Sequence, residues 1–393
     1  MSFREAACSL AAARALAPML SAAEAAMCSA PQGLPLAPVV SALAAVAAAL
    51  PPPEALPALL SLVVPLLQRC RWRMGSSADA AALAEEIEAL AAWTERAAGR
   101  VVGHQAAAAV LDELWALTQS AAASSAGSEE RVNCACAAVW TQIAGASSWA
   151  ATSSNQALAR AAMAAEQLWC AHASPAAAEC IIALVQLRSR DPSVSAALLS
   201  VLRSAPRVGA LGADAAAALL ELALCGWRDC PGSLGDQELW ALTQAAAQCM
   251  SAREAAPAGA AARLLAALLQ RTESEPREEG ELRGALSQRL ATACAPQIAQ
   301  CAVCAAVDSA HPDALVDVAA ALRAALDSLQ APGERQSVLR AALAGRPAAA
   351  AAAFQAVASR AQPLSEARFA GALTTFASVA RGEAALDALE AFC

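Results

Sequence analysis

Alanine fills most of the apolar positions of this chain, and that constrains its fold more than any motif does. Hydrophobic residues make up 58% of the 393 residues and aromatic residues only 3%, with no tyrosine, so a core must be assembled from small side chains. Alanine has the highest helix propensity because it gives up no side-chain entropy in a helix, and the aromatic residues that favour strands are scarce. A sheet is thereby disfavoured. Small side chains also bury little area each, at about 25 cal/mol per Å², so stability has to come from many close helix–helix contacts. The expected class is all-α, an α-solenoid of stacked helix pairs.

The order of segments agrees with that class. Helix-length apolar-periodic stretches alternate with short breaks at Gln32-Gly33-Leu34-Pro35, Pro51-Pro52-Pro53, Gly75-Ser76-Ser77, Gly127-Ser128, Asp191-Pro192-Ser193, Gly232-Ser233-Leu234-Gly235 and Ala331-Pro332-Gly333. None of these is long enough to be a linker, so residues 1–393 read as one HEAT-like or armadillo-like superhelix of about eighteen helices in about nine pairs. Ser128 and Asp191 stand where side-chain oxygens can cap helix starts. An identical heptapeptide, Glu-Leu-Trp-Ala-Leu-Thr-Gln, occurs at Glu113–Gln119 and again 125 residues later at Glu238–Gln244. Three units of about 42 residues span that distance, a HEAT-like period. Leu114, Trp115 and Leu117, like Leu239, Trp240 and Leu242, fall at helix-face spacing and read as core knobs.

Charge bounds the partners. The net charge is −8, and all 27 basic residues are arginine. An acidic surface disfavours direct nucleic-acid binding and attracts basic proteins, while the absence of lysine is read as a composition bias. Acidic runs at Glu85-Glu86-Ile87-Glu88, at Glu129-Glu130 and through Glu273, Glu275, Glu278, Glu279 and Glu281 read first as solvated helix faces, and secondly as a lining for basic cargo. The 14 cysteines are scattered through apolar stretches and read as small buried hydrophobes of a reducing compartment. No secretory signal is recognised at the N-terminus, and prolines break the apolar region Leu34 to Leu67 before it reaches membrane-spanning length.

Nothing in the sequence assembles into a reaction centre. Cys301-Ala-Val-Cys304, with Cys294 and His311 seven residues to either side, has a metal-like spacing. On a continuous helix these residues are too spread along the axis for one tetrahedral ion, and they are expected in the core. His104, His172 and His311 have no nucleophile–acid pattern around them, and Gly226, Gly232 and Gly235 lack the spacing of a phosphate loop. The expectation is a binding protein with no catalytic residues, cofactor or metal.

The collinear order of several segments resembles the C-terminal half of the importin-β superfamily of nuclear transport receptors, in its transportin-SR and importin-13-like branch. The segments are Ala6-Ala7-Cys8-Ser9-Leu10, Leu36 to Leu43, Leu50 to Cys70, Val110 to Trp115, Glu130 to Cys134, Glu278 to Arg283, Ile298 to Leu326, and Leu364 to Cys393. The resemblance implies a karyopherin that carries protein cargo into the nucleus, docks on nucleoporins and works in both cytoplasm and nucleus. It places the arch that binds Ran-GTP outside this chain, which makes coupling to Ran doubtful. The branch grips phosphorylated arginine-serine tails with an arginine-rich helix, whose counterpart here, about Glu129 to Ile143, keeps Arg131 as the candidate cargo-binding residue. Asn133, Cys134, Cys136, Ala137, Val139 and Trp140 fill the rest of it, so unmodified basic cargo fits the charge equally well. The competing readings are an organellar RNA-binding helical repeat protein, suggested by the Leu-Trp-Ala-Leu motif but opposed by the acidic charge, and a helical scaffold with no transport role.

Overall fold

Alanine-rich helices carry little bulk on any side, so neighbouring backbones can approach closely and pack in several directions at once. The computed structural model describes residues 64, 66–71, 83–88, 90–91, 105–123, 130–145, 154–188, 191–251, 254–270, 277–308, 312–329, 331–359 and 364–392. Among these residues all regular structure is helical, and there is no strand. The packing separates the chain into two units, Met1–Leu198 and Leu199–Cys393.

In the first unit, short helical stretches at 66–71 and 83–88 precede α1 (Gln105–Ala123), α2 (Glu130–Gly145), α3 (Ser154–His172) and α4 (Pro175–Arg188). Helix α3 lies on α1 and α4 on α2, so each packs on the helix two before it, and α3 also touches α2 and α4. Trp140 of α2 is fully buried and donates its indole N–H to the Thr118 hydroxyl at 2.9 Å, which in turn donates to the Leu114 carbonyl. A large buried polar edge is thereby satisfied without a water. The division between units falls inside α5 (Pro192–Leu202).

The second unit continues through a 3-10 turn at Ala205–Ala210 into α6 (Ala213–Asp229), α7 (Asp236–Met250), α8 (Ala255–Leu269), α9 (Arg277–Asp308), α10 (Pro312–Asp327), α11 (Pro332–Ala342), α12 (Ala348–Ala358), α13 (Glu366–Ala380) and the short α14 (Asp387–Glu390). One row runs α6, α8, α10, α13; a second runs α7, α9, α11; and the rows face each other through α7 on α8 and α9 on α10. Packing on the helix two along is what successive antiparallel pairs produce, so each unit has the pattern of a helical repeat fold. Phe354 and Phe376 stack at 4.8 Å between ring centres, with Phe369 beside them at 6.1 Å from Phe354, and join α12 to α13.

Local chemistry explains many of the boundaries. Helices α4, α5, α10 and α11 each open on proline, whose missing N–H is no loss in the first turn. Asp191 accepts from the Ser193 N–H at 2.9 Å, the expected cap of α5. The other expected cap, Ser128, lies outside the described residues, as do the breaks at Gln32–Pro35, Pro51–Pro53, Gly75–Ser77 and Gly127–Ser128. Ser365 caps α13 by accepting from the Arg368 N–H.

Helix α9 departs from the short-helix expectation. It runs 32 residues without a break, with Pro296 inside it. Pro296 faces solvent, while Leu290, Ala291, Cys294, Ala295, Ile298 and Ala299 around it are buried, so the apolar stripe continues through the proline. The stretch Gly284–Asp308 is long and apolar enough to cross a membrane by length and composition, and 61% of its most apolar window is buried within the protein. It is surrounded by α7, α8, α10, α11 and α13, as a central core helix is.

The C-terminal end of α9 is held by two arginines. Gly345, at φ 82°, supplies the left-handed turn after α11 that an L side chain rarely adopts. The next residue, Arg346, then forks onto Asp308 with two 2.8 Å bonds. Arg381 donates to the last-turn carbonyls of Ala306 and Val307 at 3.2 and 3.4 Å. The Arg346 hydrogen bond holds the Asp308 carboxyl below its usual range.

Two expectations follow. Replacing Pro296 with alanine restores an intrahelical N–H donor on an exposed face and raises stability by about 2 kcal/mol, read from chemical denaturation. Arg346→Ala costs about 0.5–1 kcal/mol near neutral pH, the small figure reflecting an aspartate 59% exposed to screening solvent. Because the folded carboxyl titrates below its unfolded value, the contribution is complete above about pH 4 and disappears as the pH falls through the folded pKa. The difference in stability between parent and variant should therefore shrink in acid; a constant difference contradicts the ion-pair account.

Candidate protein-binding surface

Alanine contacts are apolar and poorly directional, so helix register within a row has to be fixed by something else. The structure supplies polar ties between helices 42 to 54 residues apart in sequence. In the first unit Gln68 and Arg71 hold Glu113 of α1, and Arg131 of α2 holds Glu88. Between α1 and α3, Arg160 pairs with Asp112 and Gln119 bonds Gln167. In the second unit Arg263 of α8 donates to Glu221 of α6 and to Asp317 of α10, a three-helix ladder. Arg289 of α9 pairs with Asp236 of α7 at 2.9 Å, and Gln297 exchanges bonds with Gln244.

The two copies of the heptapeptide occupy equivalent surroundings, one in each unit. In both, the two leucines and the threonine are buried, and the threonine hydroxyl back-bonds to the carbonyl four residues earlier. In both, the first glutamate pairs backward with an arginine, Arg71 or Arg203, and the last glutamine reaches forward, to Gln167 or Gln297. The tryptophans correct the sequence reading. Trp115 is only half-buried and Trp240 is 47% exposed, so neither is a core knob. Trp240 instead roofs a shallow groove of about 220 Å³ between α7 and α9, over Leu239, Leu286, Leu290 and Ala293, with the Asp236–Arg289 pair beside it.

Arg131, the candidate cargo-binding residue, is half-exposed on α2. Its Nε and Nη2 donate to the two oxygens of Glu88 at 3.0 and 3.1 Å, with Glu85 at 3.9 Å from Nη1. The Glu88 hydrogen bond and charge push its pKa further up. An anionic ligand would have to displace this fork. The acidic run around it divides two ways: Glu85 and Glu88 turn to Arg131, while Glu86 is 1% exposed and accepts from the Cys70 thiol at 3.7 Å. The run is therefore neither a uniformly solvated face nor a continuous acidic lining. Glu129 and the side chains of Glu130 and of the run at 273–281 lie outside what is described.

The cysteines are mostly packing groups. Cys294 is buried on α9, whereas Cys301 and Cys304 are half-buried, and Arg346 donates to the Cys304 sulfur at 3.4 Å. Burial pushes the Cys136 thiol up to about 12 and the Cys180 thiol up to about 11. His172 closes α3 with Nε2 3.3 Å from the Ala121 carbonyl; His104 and His311 lie outside the described residues.

A second, larger groove lies in the second unit. It measures about 720 Å³ and follows α10, with Val316, Ala319, Ala320, Arg323 and Asp327 along its floor. The C-terminal end of α8 forms one side and the first turn of α13 the other. Val316 is 64% exposed there. Neither Val316 nor Arg323 carries a signal in the sequence, because the spacing of a groove floor on a helix is the same as that of a core stripe.

No protein-family model matches this chain, and no curated protein matches it.

The burial pattern predicts the order of thiol reactivity. Cys170, exposed on α3, is expected to label with a maleimide in the native protein, while Cys136 and Cys180 label only after denaturation. Peptide mapping by mass spectrometry reads the order, and native labelling of Cys136 at the rate of Cys170 contradicts the packing.

Proposed function

We propose that this chain is a HEAT-like α-solenoid that binds protein cargo, and that it serves as a karyopherin-type segment in the import of proteins into the nucleus. The observation that carries the binding role is the repeated pattern of same-row ties about one HEAT unit apart, with helices packing on the helix two along. An array of that kind offers extended surfaces whose usual use is holding other macromolecules. The transport role rests on the collinear resemblance of segments alone. The net charge of −8 favours basic protein cargo over nucleic acid. With Arg131 engaged by Glu88, an unmodified basic segment is the better match than a phosphorylated one. Nucleoporins are the second class of partner, and the site of action is the cytoplasm and nucleus.

The test is a pull-down from nuclear and cytoplasmic extracts on the immobilised chain, beside a full-length nuclear transport receptor. Enrichment of nuclear proteins and nucleoporins on both is expected. If the receptor retains both classes and this chain neither, the transport role is wrong.

A further inference from the structure

The groove along α10 has three features that an ordinary gap between helices lacks. Its floor is apolar and open at Val316 and, in part, at Ala320. It holds a buried donor without an acceptor: Arg323 turns Nε toward Asp327 at 3.5 Å, but its Nη1 is buried and makes no hydrogen bond. An unmade bond at a charged donor is costly, so turning the Arg323 guanidinium toward an acceptor in the groove gains a bond that the free protein lacks. Lastly, Glu366 on the first turn of α13 is exposed and makes no ion pair or hydrogen bond among the described residues, as does Asp313 at the start of α10.

From Val316 to Asp327 the floor runs about 16 Å at 1.5 Å per residue, the reach of about five residues of extended chain. An extended peptide carries the acceptors that Arg323 lacks, as main-chain carbonyls, and alternate side chains that can lie on the alanine floor. The charge at the rim then selects the remaining side chains. Asp327 is already shared between Arg323 and Arg335, the latter at 4.0 Å, which leaves Glu366 as the unpaired charge lining the groove. A partner cation can pair with Glu366 without breaking any existing bond, whereas a partner anion meets a like charge.

We propose that the groove between α8, α10 and α13 is a docking site for an extended segment of a partner protein. In that segment an arginine or lysine pairs with Glu366, a neighbouring apolar side chain lies on Val316 and Ala320, and a main-chain carbonyl accepts from Arg323. The proposal rests on the protein-binding reading above and locates one contact for it.

Fluorescence anisotropy with the full chain tests it, using a labelled peptide of alternating leucine and arginine and a second peptide with glutamate in place of arginine. The arginine peptide is expected to bind and the glutamate peptide not. Glu366→Arg should weaken the arginine peptide about fivefold or more, since it replaces an attraction by a repulsion. Val316→Asp should weaken it about tenfold by removing the apolar seat. Glu334→Arg on α11, an exposed glutamate that does not line the groove, makes the same charge change and should alter binding less than about twofold. Circular dichroism confirms that each variant is folded. Equal losses at Glu366 and Glu334 show charge attraction without a site and overturn the proposal, as does equal binding of the two peptides. If the parent chain enriches nuclear proteins in the pull-down but binds neither peptide, the groove proposal fails and the wider binding role stands; if the arginine peptide binds with the expected losses in the variants and the pull-down enriches nothing, the groove stands and the transport role fails.

Discussion

The structure depends on how weakly each alanine contact specifies position. A helix face of methyl groups slides against its neighbour with little change in energy, because each methyl buries a small area and none interdigitates deeply. Apolar burial can drive these helices together, but polar contacts have to choose the register. The ties at Asp112–Arg160, Gln119–Gln167, Glu221–Arg263–Asp317 and Gln244–Gln297 are placed to do this, each joining a helix to its row neighbour. Individually they are exposed or part-exposed and worth little in stability. Their geometric demand matters more than their energy: a bidentate or three-helix link is made at one register and lost at the next, half a turn away.

Where the sequence was legible, the residue acted through the local backbone. Asp191 before Pro192, the prolines opening α10 and α11, and the break at Gly232–Gly235 between α6 and α7 each follow from φ restriction or an unfilled N–H, and each is where the structure puts it. The duplicated heptapeptide also told the truth about equivalence, since both copies bury the same leucines and threonine and reach for the same kinds of partner. What it did not tell was which way the tryptophan points. Trp240 and Leu239 are adjacent, and a helix turns by 100° between them, so a stripe wide enough to include both is ambiguous by one position. The fate of Pro296 was hidden for a related reason: a proline on the solvent side of a long apolar stripe is tolerated, whereas the same residue on the buried side would end the helix.

Charge was the least legible part. Counting residues gives an acidic protein, but the folded chain spends its charges unevenly. Three glutamates within four positions, Glu85, Glu86 and Glu88, go to an arginine 43 residues away and to the interior, and neither destination has a sequence signal. Arg131 is the counterpart of this: in the sequence it stands as a cation awaiting an anion, and in the fold it already has one. The acids left for partners are those no arginine reaches, such as Glu366 and Asp313, and only the packing identifies them.

The same account explains where the second unit opens. Along its first row each helix follows after one intervening helix, from α6 to α8 to α10, and Arg263 ties all three. From α10 to α13 two short helices intervene, and α12 is engaged with α13 through the stacked phenylalanines. Among the described residues no hydrogen bond or ion pair joins α10 to α13. The ladder ends at Asp317, and the floor residues Val316 and Ala320 beside it are left uncovered. Beyond that last tie the row stays open along this side of α10, and the groove is what remains, with an arginine Nη1 beside it that makes no hydrogen bond among the described residues.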